Sequence, residues 1–124
     1  MKLIVRLSGL LFVGSTLSFA GSWTGFLVNS KCYDSLERNK NPTDTENYVD
    51  RDKNSEIRYC RPNAKTKLFA VVMENGLSFK LDSGGNAKAA QLMSKPSKQS
   101  SFEVSITGEM KADTVKVESI SLNK

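Results

Sequence analysis

Histidine is missing from this chain altogether. That removes the usual general base near neutral pH and the commonest metal ligand. It excludes the Ser-His-Asp and Cys-His nucleophilic arrangements and every zinc site that uses imidazole. Cysteine is scarce: Cys32 and Cys60 are the only two, too few for a four-thiolate zinc centre. A catalyst built on carboxylates alone, such as a glycosidase, needs two acids held at fixed separation across a cleft. No pair of acids stands out in this sequence, so no enzyme and no cofactor are expected. Long apolar runs are also lacking after the first twenty residues, so nothing there is expected to span a bilayer.

The first twenty residues are the exception. Lys2 and Arg6 precede an apolar run from Leu7 to Phe19, which closes in Ser18-Phe19-Ala20. This is the build of a cleavable signal peptide, with cleavage expected after Ala20. A signal anchor is the rival reading; no cysteine stands at the cleavage point to carry a lipid. Loss of 20 of the 124 residues leaves 104, enough for one domain, residues 21–124. Lys2 and Arg6 leave with the signal, so the net charge falls from +5 to +3. That modest surplus suits solubility or weak attraction to anionic surfaces rather than a dedicated nucleic-acid binder. A periplasmic or secreted monomer without a membrane anchor is expected, and there Cys32 and Cys60 are free to form a disulfide.

Beyond the signal, Trp23 to Val28 reads as a strand with apolar residues on both faces, as for a strand covered on both sides. Asn29 to Asn63 is polar, carries Pro42 and Pro62, and has few aliphatic residues. A structureless loop of that length is unusual in a compact domain. A Cys32–Cys60 bridge would hold it, contributing roughly 3–4 kcal/mol by the chain-entropy relation. Short helices are expected over 34–38 and 46–52, with Tyr33, Leu36, Tyr48, Val49, Ile57 and Tyr59 as the residues able to dock the insertion onto the domain.

From Leu68 the pattern is regular. Leu68–Met73 is an apolar strand, and Asn75-Gly76 supplies a hairpin turn. Leu77, Phe79 and Leu81 alternate with polar residues in a third strand. Asp82-Ser83-Gly84-Gly85 reads as a break, although it matches the nucleophile segment of trypsin-like proteases, whose histidine this chain lacks. Asn86 is expected to cap a helix over 87–94, ended by Pro96. Phe102, Val104 and Ile106 alternate in a fourth strand, and Lys111-Ala112-Asp113 turns the chain. In the last strand the apolar phase slips by one residue between Val117 and Ile120, which predicts a β-bulge near Glu118-Ser119. Three strands, a helix and two strands is the order of the OB-fold, a five-stranded Greek-key barrel. The expected fold is therefore all-β with one short helix, an OB-like barrel with a long disulfide-closed insertion between the first and second strands. A different small barrel or an open meander is the alternative.

Two stretches carry a family resemblance. Trp23-Thr-Gly25-Phe-Leu-Val-Asn29-Ser-Lys-Cys32, and Phe102-Glu-Val-Ser-Ile-Thr-Gly108 followed by Val115-Lys-Val-Glu-Ser-Ile120, resemble the mature N-terminus and the closing hairpin of small secreted bacterial proteins with an OB-fold-like domain and mostly uncharacterised function. Cys60 ahead of Leu68-Phe69-Ala70-Val71 fits their second cysteine. Asn29 stands where that group usually has an acid, and its further cysteines are missing, so no metal or redox role is carried over.

Three constellations remain. Cys32 and Cys60 are not in a C-x-x-C arrangement, so a structural bridge is favoured over a redox pair. Asp50, Asp52, Asn54 and Glu56 place oxygens at alternate positions, as at the start of a calcium loop. Calcium in an EF-hand needs Gly at position six and Glu at twelve, where this chain has Ser55 and Arg61. Arg51, Lys53 and Arg58 also oppose a cation, so a solvated polar loop is favoured over weak calcium binding. Arg58, Arg61, Lys65 and Lys67, with Trp23, Phe26, Tyr59 and Phe69, could form a basic stacking platform for single strands, but the barrel needs most of those aromatics itself. The favoured function is a non-catalytic extracytoplasmic binding or protein-interaction module for an unknown protein or small ligand. Its expected contacts are Tyr33, Tyr48, Arg58, Tyr59 and Arg61, on the insertion and the open barrel face. A small-ligand or calcium binder and an oligonucleotide-binding domain are the alternatives.

Overall fold

The structure is a computed structural model and describes residues 19–38, 46–95 and 99–123, with no side-chain description for Phe19, Arg38 or 46–52. Residues 1–18 of the expected signal segment, Pro42 and Pro96 lie outside these residues. Eight elements follow in order: β1 (Phe19–Asn29), α1 (Ser30–Arg38), α2 (Glu46–Tyr59), β2 (Phe69–Met73), β3 (Ser78–Leu81), α3 (Ser83–Met93), β4 (Glu103–Lys111) and β5 (Thr114–Leu122). The strands close a barrel in the order β1-β2-β3-β5-β4, with β3 and β5 parallel and the other pairs antiparallel. This is the expected five-stranded barrel, with the helix between its third and fourth strands and the insertion between its first and second. Among the described residues no helix is long and apolar enough to cross a membrane.

β1 serves two partners: 19–26 pair with β4 and 25–29 with β2. Phe19 and Ala20, on the signal side of the expected cleavage point, already pair with Met110 and Glu109. The two apolar faces of β1 have separate destinations. Trp23 and Leu27 face the barrel core, with Phe69, Val71, Phe79, Val104, Ile106 and Val115. Phe26 and Val28 face outwards into a second cluster under the insertion, with Ala70 and Val72 of β2. The alternation of β-strand side chains divides both strands between two cores.

The hairpin turn forms as expected. Gly76 has φ +89°, which an L side chain rarely adopts, and Met73 N donates to Leu77 O at 2.8 Å. Leu77 belongs to that turn and not to the buried face of β3; it is 63% exposed. The bulge also forms. Thr107 pairs with Ser119 and Gly108 with Val117, leaving Glu118 as the extra residue.

The helix α3 starts four residues before its expected position. Asp82 is its cap, accepting from Gly85 N at 2.8 Å and from Val117 N at 3.2 Å. Asn86 instead ties the helix to the strands. Its Oδ1 accepts from Phe69 N at 2.9 Å, and its Nδ2 donates to Leu81 O at 3.4 Å. Asp82-Ser83-Gly84-Gly85 is therefore a helix start and no mere break. Gly85 lies where α3 meets β5; a Cβ there would sit 2.4 Å from Val117 Cγ2. The close approach outweighs the poor helix propensity of glycine.

Candidate functional site

The insertion is built as a second layer on the outside of β1 and β2. Asn29 ends β1 and caps α1 by accepting from Cys32 N at 3.1 Å. The helix therefore runs from Ser30, four residues earlier than expected. Tyr33 and Leu36, one helical turn apart, face the outer cluster. The second helix continues to Tyr59, seven residues beyond the expected end at Asp52. Lys53, Glu56, Ile57 and Cys60 form its inward stripe at i, i+3, i+4, i+7 spacing. Ile57 and Cys60 are its apolar members and complete the outer cluster with Tyr33, Val28, Ala70 and Val72.

Cys32 and Cys60 form the expected disulfide. Two backbone bonds fix the same place: Asn29 N donates to Cys60 O at 2.8 Å, and Ser30 N to Leu68 O at 2.9 Å. At the far side Lys53 Nζ donates to Glu74 O, and Lys80 pairs with Asp34 at 3.4 Å. Inside the layer the Tyr33 phenol is pushed well above its ordinary range. Burial is the main cause, followed by Glu37, Glu56 and Asp34, with Glu37 also accepting its hydrogen bond.

The expected contact residues do not form one surface. Tyr33 is 3% exposed, so its ring is part of the outer cluster and is not offered to a partner. Arg58 and Tyr59 follow each other on the last turn of α2, both exposed, with Tyr59 at 77%. Tyr59 was a docking residue by sequence; one residue before Cys60, it lies about 100° around the helix from the inward stripe, and this turns it outwards. It borders a shallow cleft of about 400 Å³ between α1 and α2, with Leu36, Ser55 and Glu56. Arg61 points elsewhere: its guanidinium lies 5.8 Å from the Phe102 ring centroid and Nη1 donates to Gln99 O. The side chains of Tyr48, Val49, Asp50 and Asp52 lie outside the described residues.

The acidic run is helical rather than a loop. Residues 46–59 form α2, so the backbone here is not the turning loop that an EF-hand calcium site is built on. Glu56 is 8% exposed, against the Tyr33 side of the layer. Among the described residues no group of three His, Cys, Asp or Glu is placed to hold a metal ion. Three of the four aromatics of the basic platform are spent on packing, and Tyr59 alone is exposed. Phe69 is buried, Trp23 meets Phe79 with ring centroids 5.9 Å apart, and Phe26 lies under the insertion.

Sequence reasoning passed over a groove of about 910 Å³ between α3 and β5. Leu92, Phe102, Ile120 and Leu122 floor it, with Lys88 of α3 and Lys95 just past the helix end at its rim. The half-buried Ile120 and Leu122 past the bulge were its only sequence signal. Compared with known proteins, the chain matches no family model, no curated protein and no solved structure.

Proposed function

We propose that this protein is a non-catalytic extracytoplasmic interaction module that meets a protein partner with the outer face of its insertion. The observation that carries this reading is Tyr59, 77% exposed beside Arg58 at the one end of α2 that the disulfide holds. Tyrosine and arginine are the residue types most enriched where binding energy concentrates. Holding them on a stapled helix end removes much of the ordering cost that binding otherwise carries. A bridge of this kind suits an oxidising compartment, which supports secretion. The strand order and helix position support an OB-like barrel. Burial of Phe69 and the packing of Trp23 and Phe26 weigh against an oligonucleotide platform on it.

The test is capture from the host's extracytoplasmic extract by immobilised wild type and by an Arg58→Ala, Tyr59→Ala double variant. Loss of one or more specifically retained proteins, with an unchanged circular dichroism spectrum, is the expected result. Retention of the same proteins by the variant would overturn the assignment of these residues.

A further inference from the structure

The bulge at Glu118 leaves part of the barrel wall without a neighbour. β5 pairs with β4 along its length but with β3 only at Thr114 and Val115. Its edge is then covered as far as Val117 by Asp82, whose N donates to Val115 O at 2.9 Å and whose Oδ1 accepts from Val117 N. Beyond the bulge the direction of the backbone can be worked out. Asn123 N donates to Glu103 O at 2.8 Å, so these two form a hydrogen-bonded pair across β4 and β5. Such pairs alternate along an antiparallel ladder. Ser121 and Ser119 therefore face β4, while Ile120 and Leu122 turn their N–H and C=O groups to the other side. Before the bulge the outward residues are the odd-numbered Val115 and Val117; after it they are the even-numbered Ile120 and Leu122. Among the described residues no strand lies beside this second stretch.

That stretch is one wall of the groove under α3. We propose that the groove accepts an extended acidic peptide, added as a strand to β5 along Ile120–Leu122. Two donors and two acceptors spaced as in a strand edge suit the main chain of an extended peptide. An acyl chain would leave all four of them without partners in an apolar groove, which is costly. The floor of Leu92, Phe102, Ile120 and Leu122 takes the apolar side chains of alternate residues. Lys88 on α3 and Lys95 just past its C-cap Ser94 both line the groove and meet the acidic ones. Among the described residues Glu118 is the single acid lining the groove; it opposes the peptide's acids but is outnumbered by Lys88 and Lys95, which disfavour a basic peptide. This site lies apart from Arg58 and Tyr59, so it stands or falls independently of the insertion surface.

The test uses the full, oxidised, isotope-labelled chain. The probe is an acetylated, amidated hexapeptide of alternating glutamate and valine, titrated while the backbone amides are followed by NMR. Saturable shifts centred on the Ile120 and Leu122 amides are expected, and the Kd should rise about tenfold in a Lys88→Glu, Lys95→Glu variant, whose changes are on the groove wall and not in the core. Without probe, the Ile120 and Leu122 amides should exchange with solvent faster than those of Ser119 and Ser121. The proposal is overturned by an absence of saturable shifts at these amides or by the reverse exchange order. It is equally overturned if the lysine-valine hexapeptide binds as well, or if dodecanoate displaces the acidic peptide from the same amides.

Discussion

The barrel interior and the layer under the insertion are both apolar clusters, yet they are held by different means. The interior draws on all five strands and on α3, inside a closed ring of backbone hydrogen bonds. Among the described residues the outer cluster has six buried members, three from strands and three from the insertion. Of those three, Cys60 belongs to the bridge, Tyr33 carries a hydroxyl among acids, and Ile57 alone is purely aliphatic. The interior can therefore stand on burial and hydrogen bonding. The outer layer joins a scaffold that is already complete, and covalent closure adds to the few apolar contacts that its described residues make.

Four changes would break or sharpen this contrast. Phe79→Ala opens the interior far from the insertion and should cost about 3–5 kcal/mol. Denaturant unfolding followed at both layers should show them lost together, because the insertion has nothing else to dock on. Replacing Cys32 and Cys60 by serine removes closure of a 28-residue separation and should cost roughly 3–4 kcal/mol. Here the two probes should part, with the helical signal of the insertion lost at lower denaturant than the barrel signal. A coincident, unshifted transition would show that the bridge constrains nothing.

Tyr33 gives the contrast a pH signature. Its phenol keeps its proton in the folded chain to higher pH than in the unfolded one. The folded state then holds the extra proton once the unfolded tyrosine ionises near pH ~10. Stability should fall from there upward, by at most about 1.4 kcal/mol per pH unit from this group. Tyr33→Phe should lose that share of the alkaline slope at a cost of about 1 kcal/mol for the hydrogen bond near neutral pH. An identical slope in both proteins would contradict the buried environment assigned to this ring. The smallest effect should come from Lys80→Ala, because its 3.4 Å pair with Asp34 is exposed on both sides. Thermal melts should place it below about 1 kcal/mol.

How far these features could be read from sequence depended on whether a local pattern or a distant contact determined them. The two apolar faces of β1 and the phase slip at Glu118 are local patterns, and both gave the right structure. The Asn75-Gly76 turn is equally local. The start of α3 is not, because Gly84-Gly85 opposes a helix on propensity while Val117 demands the missing side chain. Asp82 and Asn86 can each cap a helix; only the pairing of Asn86 with Phe69 N on β2 decides between them. The length of α2 was hidden for a similar reason. Asp50, Asp52, Asn54 and Ser55 are weak helix formers, and the helix continues through them to bring Ile57 and Cys60 onto Val28 and Val72. Of the contact surface, exposure of Arg58 was legible, whereas Tyr59 suited docking and contact equally until the helix register placed it outside. The burial of Tyr33 followed only from the register of α1 on the sheet, and the groove beside β5 only from the closed barrel.

The most direct measurement is residue-level hydrogen exchange on the oxidised protein and on the Cys32→Ser, Cys60→Ser variant under native conditions. Loss of protection confined to the amides of α1 and α2, with β4 and β5 still protected, is the result expected of a self-sufficient barrel carrying a stapled second layer. Equal loss of protection in β4 and β5 would show that barrel and insertion form one cooperative unit, and would contradict the division between them.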